Sequence, residues 1–377
     1  MTTIVHAAGA PELLAAIPVL TGFTPRDSVV LLPFRRSRTA GALRFDLPDA
    51  ADPTRPSPEE FASAAMRLVL RVAGADGLAV AVYADAEDAA TGDARPASAL
   101  VEALLRHGQA AGLHIIEALH VGAESWSDYR DREAPPHPLS DLPAPPLVPG
   151  FAGPAPDQFS GMELPRPGLF AAEYVGRALL ALERVLGPAG PNRSTPTGAV
   201  RIDPRAHETA LLLDDLPSFL DEVLDAPETA SPFATAALVW VLNRPILRDV
   251  ALVQWASSID QGDRALAAQL DHSATGKEVP ADVGGILIGL GPRPDPDRLG
   301  VALALLRRTI ALAPRQARGG PLAAAAWLSW ALGRSTHAAR YLDQAQEADP
   351  DLSFARLLRT LVESGMLPDW AFGVAVP

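Results

Sequence analysis

The sequence predicts an α/β domain followed by an all-α domain: an N-terminal mixed sheet with helices on its faces, then a C-terminal helical domain with tetratricopeptide-like hairpins. Three observations predict it. Up to about residue 122, short runs of strand formers alternate with amphipathic stretches. Eleven of the 36 residues from 133 to 168 are proline, the composition of an extended arm rather than of a core. From Leu169 onward the apolar spacing is helical almost throughout. The expected layout is therefore an α/β domain over 1–125, a proline-rich connector over 126–168 and a helical domain over 169–377.

A short strand is expected at 3–7, then a helix from Pro11 to about Leu20 that Gly22 ends. The continuous apolar run "SVVLLPF" reads as a buried strand. "RRSRTA" turns the chain and "GALRFD" returns as its antiparallel partner. "SPEEFASAAMRLVLRV" is a strong helix signal, with Ser57 as N-cap, Pro58 at the first helical position and Glu60 closing a capping box. Phe61, Ala65, Leu68, Val69 and Val72 share one face of it. "LAVAVYAD" is a strand, "PASALVEALLRHGQAAG" a helix ending at Gly112, and "LHIIEALHV" the next strand. Strand–helix–strand connections cross over right-handed and leave the strands parallel. The strands ending near Asp46, Tyr83 and Val121 should therefore run the same way.

The helical domain opens with "LFAAEYVGRALLALERVLG". Helices are expected around 205–225, 231–258 and 263–271, and four more from about 297. The last four read as two hairpins. "VALALLRRTIALAP" (301–314) and "HAARYLDQAQEADP" (337–350) align at an offset of 36 residues, with Ala302/Ala338 and Leu306/Leu342 in register. Tetratricopeptide repeats have a period near this. Trp327 and Trp330, three apart on an alanine-rich helix, should face the helical core.

The 377 residues carry a formal charge of −13. Nucleic-acid backbones need clustered Lys and Arg, so no nucleic-acid partner is expected. Lys277 is the only lysine; with abundant Ala and Pro, the arginine bias reads as the imprint of a GC-rich bacterial genome. Without cysteine there are no disulfides, thiol nucleophiles, Cys-ligated zinc or iron–sulfur clusters. The N-terminus lacks the basic segment of a secretory signal. No apolar stretch approaches the ~20 residues of a membrane span. A soluble cytoplasmic protein with no membrane partner is expected.

Few motifs carry chemistry. "GPAGPNRSTPTGA" (187–199) lacks the Gly-Lys-Ser/Thr of a phosphate loop and reads as an interhelix loop. "DHSATGKE" (271–278) has Glu278 where a hydroxyl should hold magnesium. There is no Gly-x-Ser-x-Gly elbow and no His-Glu-x-x-His pair, and His114 and His120 read as structural. The six acids from Asp214 to Glu228 read as a solvated helical face. Arg248 beside Asp249 reads as a structural ion pair, since Arg in helical domains bridges helices through carboxylates.

One stretch points to a site. In "GFTPRDSVVLLPF" (22–34) a Thr-Pro-Arg-Asp-Ser cluster directly precedes a strand. By the strand directions Ser28 lies beside the end of the strand closing at Asp46. Asp85 leaves at the same edge, and so do Glu124 and Trp126. Ligands of α/β sheets favour the carboxyl ends of parallel strands. Arg26, Asp27, Ser28, Asp46, Asp85 and Trp126 are therefore the candidate ligand edge, suited to a hard metal or a polar ligand. The plainer reading makes Pro25-Arg26-Asp27 a turn and the two aspartates strand ends. No catalytic residue, defined metal site or cofactor is indicated.

"IPVLTGFTPRDSVVLL" followed by "LRFDLP" resembles the opening of the bacterial domain-of-unknown-function family 4192. "LRDVALVQWA", "PLAAAAWLSWALG" and "AARYLDQAQEADPDLSFARLL" resemble its later helices. Two features depart from that family. "VGAESWSDYRDREAPPHP" keeps Trp126, Ser127 and Tyr129 but not the family's cysteine, and Gly333-Arg334-Ser335-Thr336 replaces its Gly-Asp-Gly-Ala. The resemblance implies the domain layout and no activity.

The expected function is that of a binding or interaction protein. Its helical domain would offer a groove to a protein partner, and its α/β domain would bind a small ligand or a second partner. The rival expectation is a metal-dependent hydrolase with a carboxylate site at the strand ends. An enzyme needs polar groups converging in a pocket with perturbed ionisation, whereas a scaffold needs an exposed apolar groove.

Overall fold

In the computed structural model, residues 9–39, 41–49, 51–85, 95–148, 153–187 and 203–372 are described. The strand expected at 3–7 lies outside them, as does most of the 187–199 loop. Contacts divide the chain into two units. One holds the described residues up to Ser160 with Phe372, and the other runs Gly161–Ala371.

The first unit follows the predicted order. Helix α1 (Ala10–Thr21) stops where Gly22 takes φ 83° and returns its N–H to Pro18 O. Strand β1 (Ser28–Arg35) leads through the short β2 (Arg38–Thr39) into β3 (Leu43–Asp46). Helix α2 (Pro58–Val69) starts on the expected capping box: Ser57 N–H donates to Glu60 Oε2 at 2.8 Å and Glu60 N–H to Ser57 Oγ at 3.3 Å. Strand β4 (Gly77–Tyr83), helix α3 (Ser98–Ala110) and strand β5 (His114–Val121) complete the alternation.

β4 and β5 are parallel. β1 lies between β3 and β4 and is antiparallel to both. β3 thus runs in the direction of β4 and β5 without pairing with them. Side chains alternate across the sheet. Val29, Leu31, Leu78, Val80 and Val82 pack against α2 and α3. Val30, Leu32, Ala79, Ala81 and Tyr83 pack with Leu13, Leu14 and Ile17 of α1. Every residue of β4 is buried, as a strand covered on both faces must be.

The stretch expected as a connector is shared between the units instead. Ser125–Asp128 forms β6 and His137–Pro138 forms β7, extending the sheet beyond β5. Ala155 pairs with Phe23: Thr24 N–H donates to Ala155 O at 3.0 Å and Ala155 N–H to Gly22 O at 2.9 Å. On the helical side, Tyr341 Oη donates to Met162 O at 3.1 Å and Arg307 to Glu163 O. Proline forbids a long ladder because it lacks the donor, but the residues between the prolines still have theirs. Residues 142–148 keep the expected character, without regular structure and with Leu147 98% exposed. Chymotrypsin should therefore make its first cut after Leu147. A first cut inside β6 or β7 on the gel would show that those strands are not held.

In the second unit, α4 spans Leu169–Leu186. The helix expected at 205–225 is two, α5 (Pro204–Leu212) and α6 (Leu216–Asp225). The break comes from Asp215, whose carboxylate accepts the Ser218 N–H at 3.2 Å as N-cap, with Pro217 behind it. The helix expected at 231–258 is also two, α7 (Pro232–Leu242) and α8 (Pro245–Ala256). Pro245 cannot continue a helix that precedes it but can begin the next. α9 (Ile259–Thr275) and the short α10 (Ala281–Gly284) follow. The last helices are α11 (Pro296–Leu312), α12 (Gly319–Ala331), α13 (Ser335–Ala348) and α14 (Ser353–Glu363). They form two helical hairpins, α11/α12 and α13/α14, joined through α12 and α13. Ala302, Leu306, Ala338 and Leu342 are all fully buried. All 13 residues of α12 are buried, which makes it the interior helix of this bundle. Among the described residues no helix is long and apolar enough to cross a membrane.

Candidate functional site

One row of paired residues crosses every strand of the described sheet except β2, at the carboxyl ends of β4 and β5. Ser28 pairs with Asp46 on one side and with Tyr83 on the other. Tyr83 pairs with Val121, Val121 with Trp126, and Trp126 with His137. Residues paired directly point to the same face of a sheet, and here it is the α1 face. Tyr83, Val121 and Trp126 keep 7%, 8% and 8% of their surface, while Ala81 and Leu119 one layer inward keep 1% and 0%. The row lies where the core meets solvent.

Two segments flank it. The first is the Thr-Pro-Arg-Asp-Ser cluster, which is a tightly built turn. The buried Gln158 clamps Arg26 by both amide atoms: Arg26 N–H donates to Gln158 Oε1 at 3.1 Å and Gln158 Nε2 donates to Arg26 O at 2.9 Å. Asp27 adopts φ 43°, a left-handed conformation that few non-glycine residues take and Asp tolerates. Its carbonyl accepts the Leu47 N–H at 2.9 Å. Ser28 Oγ donates to Arg26 O and accepts from Arg44 Nε at 2.8 Å. The Arg44 guanidinium also pairs with Asp46, whose side chain is 70% exposed. The second flank is the 137–142 segment. Leu139 and Leu142 pack on the α1-face core, Leu139 N–H donates to Glu124 O at 2.9 Å, and His137 stacks on Trp126 with ring centroids 4.5 Å apart.

The opposite face of the same edge holds a different cluster. His120 Nε2 donates to Ala84 O at 3.0 Å, and its ring meets Tyr129 edge-on at 6.2 Å. Tyr129 Oη donates to Pro96 O at 2.5 Å, just ahead of α3. Burial pushes the His120 imidazole below its ordinary value. The Ala84 carbonyl pulls it up, Arg95 pushes it down and Asp85 pulls it up, and burial prevails. A histidine with a depressed folded pKa stabilises the fold above its unfolded value near 6.5 and loses that contribution as pH falls below it. His120→Gln should therefore flatten the loss of stability between about pH 7 and 5. Urea melts across that range would show it, and identical slopes in both proteins would contradict it.

The structure thus brings Arg26, Asp27, Ser28 and Asp46 together at one end of the row and places Trp126 towards the other. Asp85 leaves at the same edge, beside His120. Asp46 and Tyr83 stand two strand spacings apart, about 10 Å, because β1 lies between them. Asp85 lies two residues further on, so the two carboxylates do not form a close pair. Among the described residues no three His, Asp or Glu side chains are grouped to hold a metal ion. Sequence reasoning missed Tyr83, His137 and Gln158. Tyr83 had one signal, as the lone aromatic ring in the run "LAVAVYAD". Gln158 had none, since its partner is 132 residues away.

In the second unit Arg248 reaches Asp249 with Nη2–Oδ1 2.7 Å and Nε–Oδ1 3.0 Å. The carboxylate comes from the same helix, so it does not bridge helices as expected. The link to α14 is the Phe354 ring, 3.9 Å beneath the Arg248 guanidinium. Burial pushes the Asp249 carboxyl up more than Arg248 draws it down. A groove of about 390 Å³ lies beside α4, lined by Gly176, Leu179, Leu180 and Glu183 and by residues 312–314 and 316–317.

No curated protein and no solved structure matches the chain. A family model does, over residues 11–144 and 293–369, more than half of the chain. The first stretch contains the whole cross-sheet row, and the second contains α12 and the hairpin that follows it. The chain belongs to the family described as domain of unknown function (DUF4192).

Proposed function

We propose that the α/β unit is a small-ligand module whose site is the carboxyl edge of its sheet, and that the helical unit offers a surface to a protein partner, in a cytoplasmic protein. The row Asp46–Ser28–Tyr83–Val121–Trp126–His137 carries the first part of this reading. It sets aromatic and polar groups at the rim of the core, at the ends of parallel strands where α/β sheets take their ligands. Metal-dependent hydrolysis is the weaker reading. It needs converging carboxylates, and Asp46 is instead engaged by Arg44.

Thermal shift of the full chain against small polar metabolites tests it. A ligand at 100 times its Kd stabilises by about 2.7 kcal/mol. The stabilisation should shrink in Tyr83→Phe and Trp126→Phe. A ligand that stabilises all three proteins equally binds elsewhere, and a divalent-metal shift abolished by Asp46→Asn would favour the hydrolase. The partner surface rests on Leu169, Phe170 and Leu180, all exposed on α4 with Leu180 in the groove. Phe170→Asp with Leu180→Asp should abolish association without lowering Tm.

A further inference from the structure

We propose that the carboxyl edge takes an uncharged planar ring bearing carbonyl oxygens, a cyclic amide or imide, seated over Val121 between Tyr83 and Trp126. This rests on the edge being a ligand site, and it names the ligand's chemical class.

The Trp126 indole N–H is buried and has no acceptor among the described residues. A buried donor left unpaired costs about 1–3 kcal/mol. An indole nitrogen can only donate, so the group that would satisfy it is an acceptor. Tyr83 stands across Val121 on the same face, and its hydroxyl makes no hydrogen bond to the described residues. Burial pushes the Tyr83 phenol well above its ordinary value, so it too stays a neutral donor at physiological pH.

Between these two donors the floor is a single valine. Tyr83 and Trp126 lie two strand spacings apart, about 10 Å across the sheet, with Val121 between them. The indole already stacks with His137 in a flat wall. Charge argues against an anion. The Arg44 guanidinium at the far end of the row is already engaged by Ser28 and Asp46. An ionised group set against Val121 would lose hydration without a counter-charge. Carbonyl oxygens on a neutral ring supply acceptors for both donors, and those hydrogen bonds offset the hydration they lose.

The test uses the full chain labelled with ¹⁵N-tryptophan, whose six tryptophans give six indole N–H resonances. Trp126→Phe identifies the one that matters, and uracil is the probe, with orotate as the same ring carrying a carboxylate. Uracil should move the Trp126 resonance saturably and leave the other five in place. Tyr83→Phe should weaken uracil by up to about tenfold, the loss of one hydrogen bond. Should Tyr83→Phe disturb the other indole signals, Val121→Leu, which fills the floor, replaces it with the same expected weakening. A Trp126 resonance that uracil does not move, or moves equally in the variant, overturns the proposal. Stronger movement by orotate overturns the uncharged class and leaves the edge as a ligand site. A metabolite that stabilises the protein while neither Trp126 nor Tyr83 matters removes the edge reading itself.

Discussion

Trp330→Ala is expected to cost the helical unit about 3–5 kcal/mol and to lower its Tm by about 10 °C or more. The indole is fully buried in α12 and touches two others, Trp327 at 6.5 Å and Trp370 at 6.4 Å between ring centroids. Its Nε1–H donates to Met366 O at 2.8 Å, and Trp370 returns Nε1–H to Ala331 O at 3.1 Å. Truncation would leave a cavity in a helix with no solvent-facing side and strip the carbonyl of Met366 of its donor. Trp330→Phe keeps most of the volume and loses only the hydrogen bond, so it should fall well short of that cost. Calorimetry on the three proteins separates the two terms. Equal melting points for wild type and Trp330→Ala would mean that the indole does not pack as described.

Gly320→Ala is expected to destabilise the same unit by about 3 kcal/mol, at the upper end of ordinary overpacking. A Cβ there would stand 2.2 Å from Leu242 O and 2.7 Å from the carbonyl carbon. The obstacle is backbone, so no rotamer change can relieve it. At this point the start of α12 crosses the end of α7, and Asn243 ties them, donating to Ala317 O at 2.8 Å and accepting the Gly320 N–H at 3.2 Å. Gly300 in α11 is the control. A Cβ there meets nothing within 4 Å, so Gly300→Ala should stabilise by about 0.5–1 kcal/mol through backbone entropy. If both substitutions move the urea midpoint in the same direction, the close crossing does not exist in solution.

The elements themselves were legible because their causes are local. The capping box at Ser57 and Glu60 and the glycine stop at Gly22 each act within a few residues. So does the run "LAVAVYAD", which reads as a buried strand without reference to anything else. The merged helices at 205–225 and 231–258 show the limit of such reading. Their apolar faces continue across the break, and Asp215 and Pro245 decide it by capping and by the missing N–H.

The candidate edge was half legible. Strand directions follow from right-handed crossovers, and they place Ser28, Asp46, Asp85 and Trp126 at one edge. Which strands are neighbours is another matter. β1 inserts between β3 and β4, so Asp46 and Asp85 share an edge without converging, and Tyr83 takes the place beside Ser28. The proline-rich stretch misled for the same reason. Its composition speaks against a core, but a few donors between prolines suffice to pair Ala155 with Phe23 and to hold Arg26 with Gln158.

By itself the sequence determined the kinds of element, their order, and their start and stop signals, along with the chemistry excluded by the absence of cysteine. These depend on contacts between near neighbours, where spacing of 2 or 3.6 residues is the physical variable. Only the tertiary structure decided which residues stand side by side. The row from Asp46 to His137 draws on strands spread along the chain, and the clamp on Arg26 comes from a glutamine 132 residues away. Such pairings are set by burial and by satisfaction of backbone donors over the whole unit, and no local pattern records them.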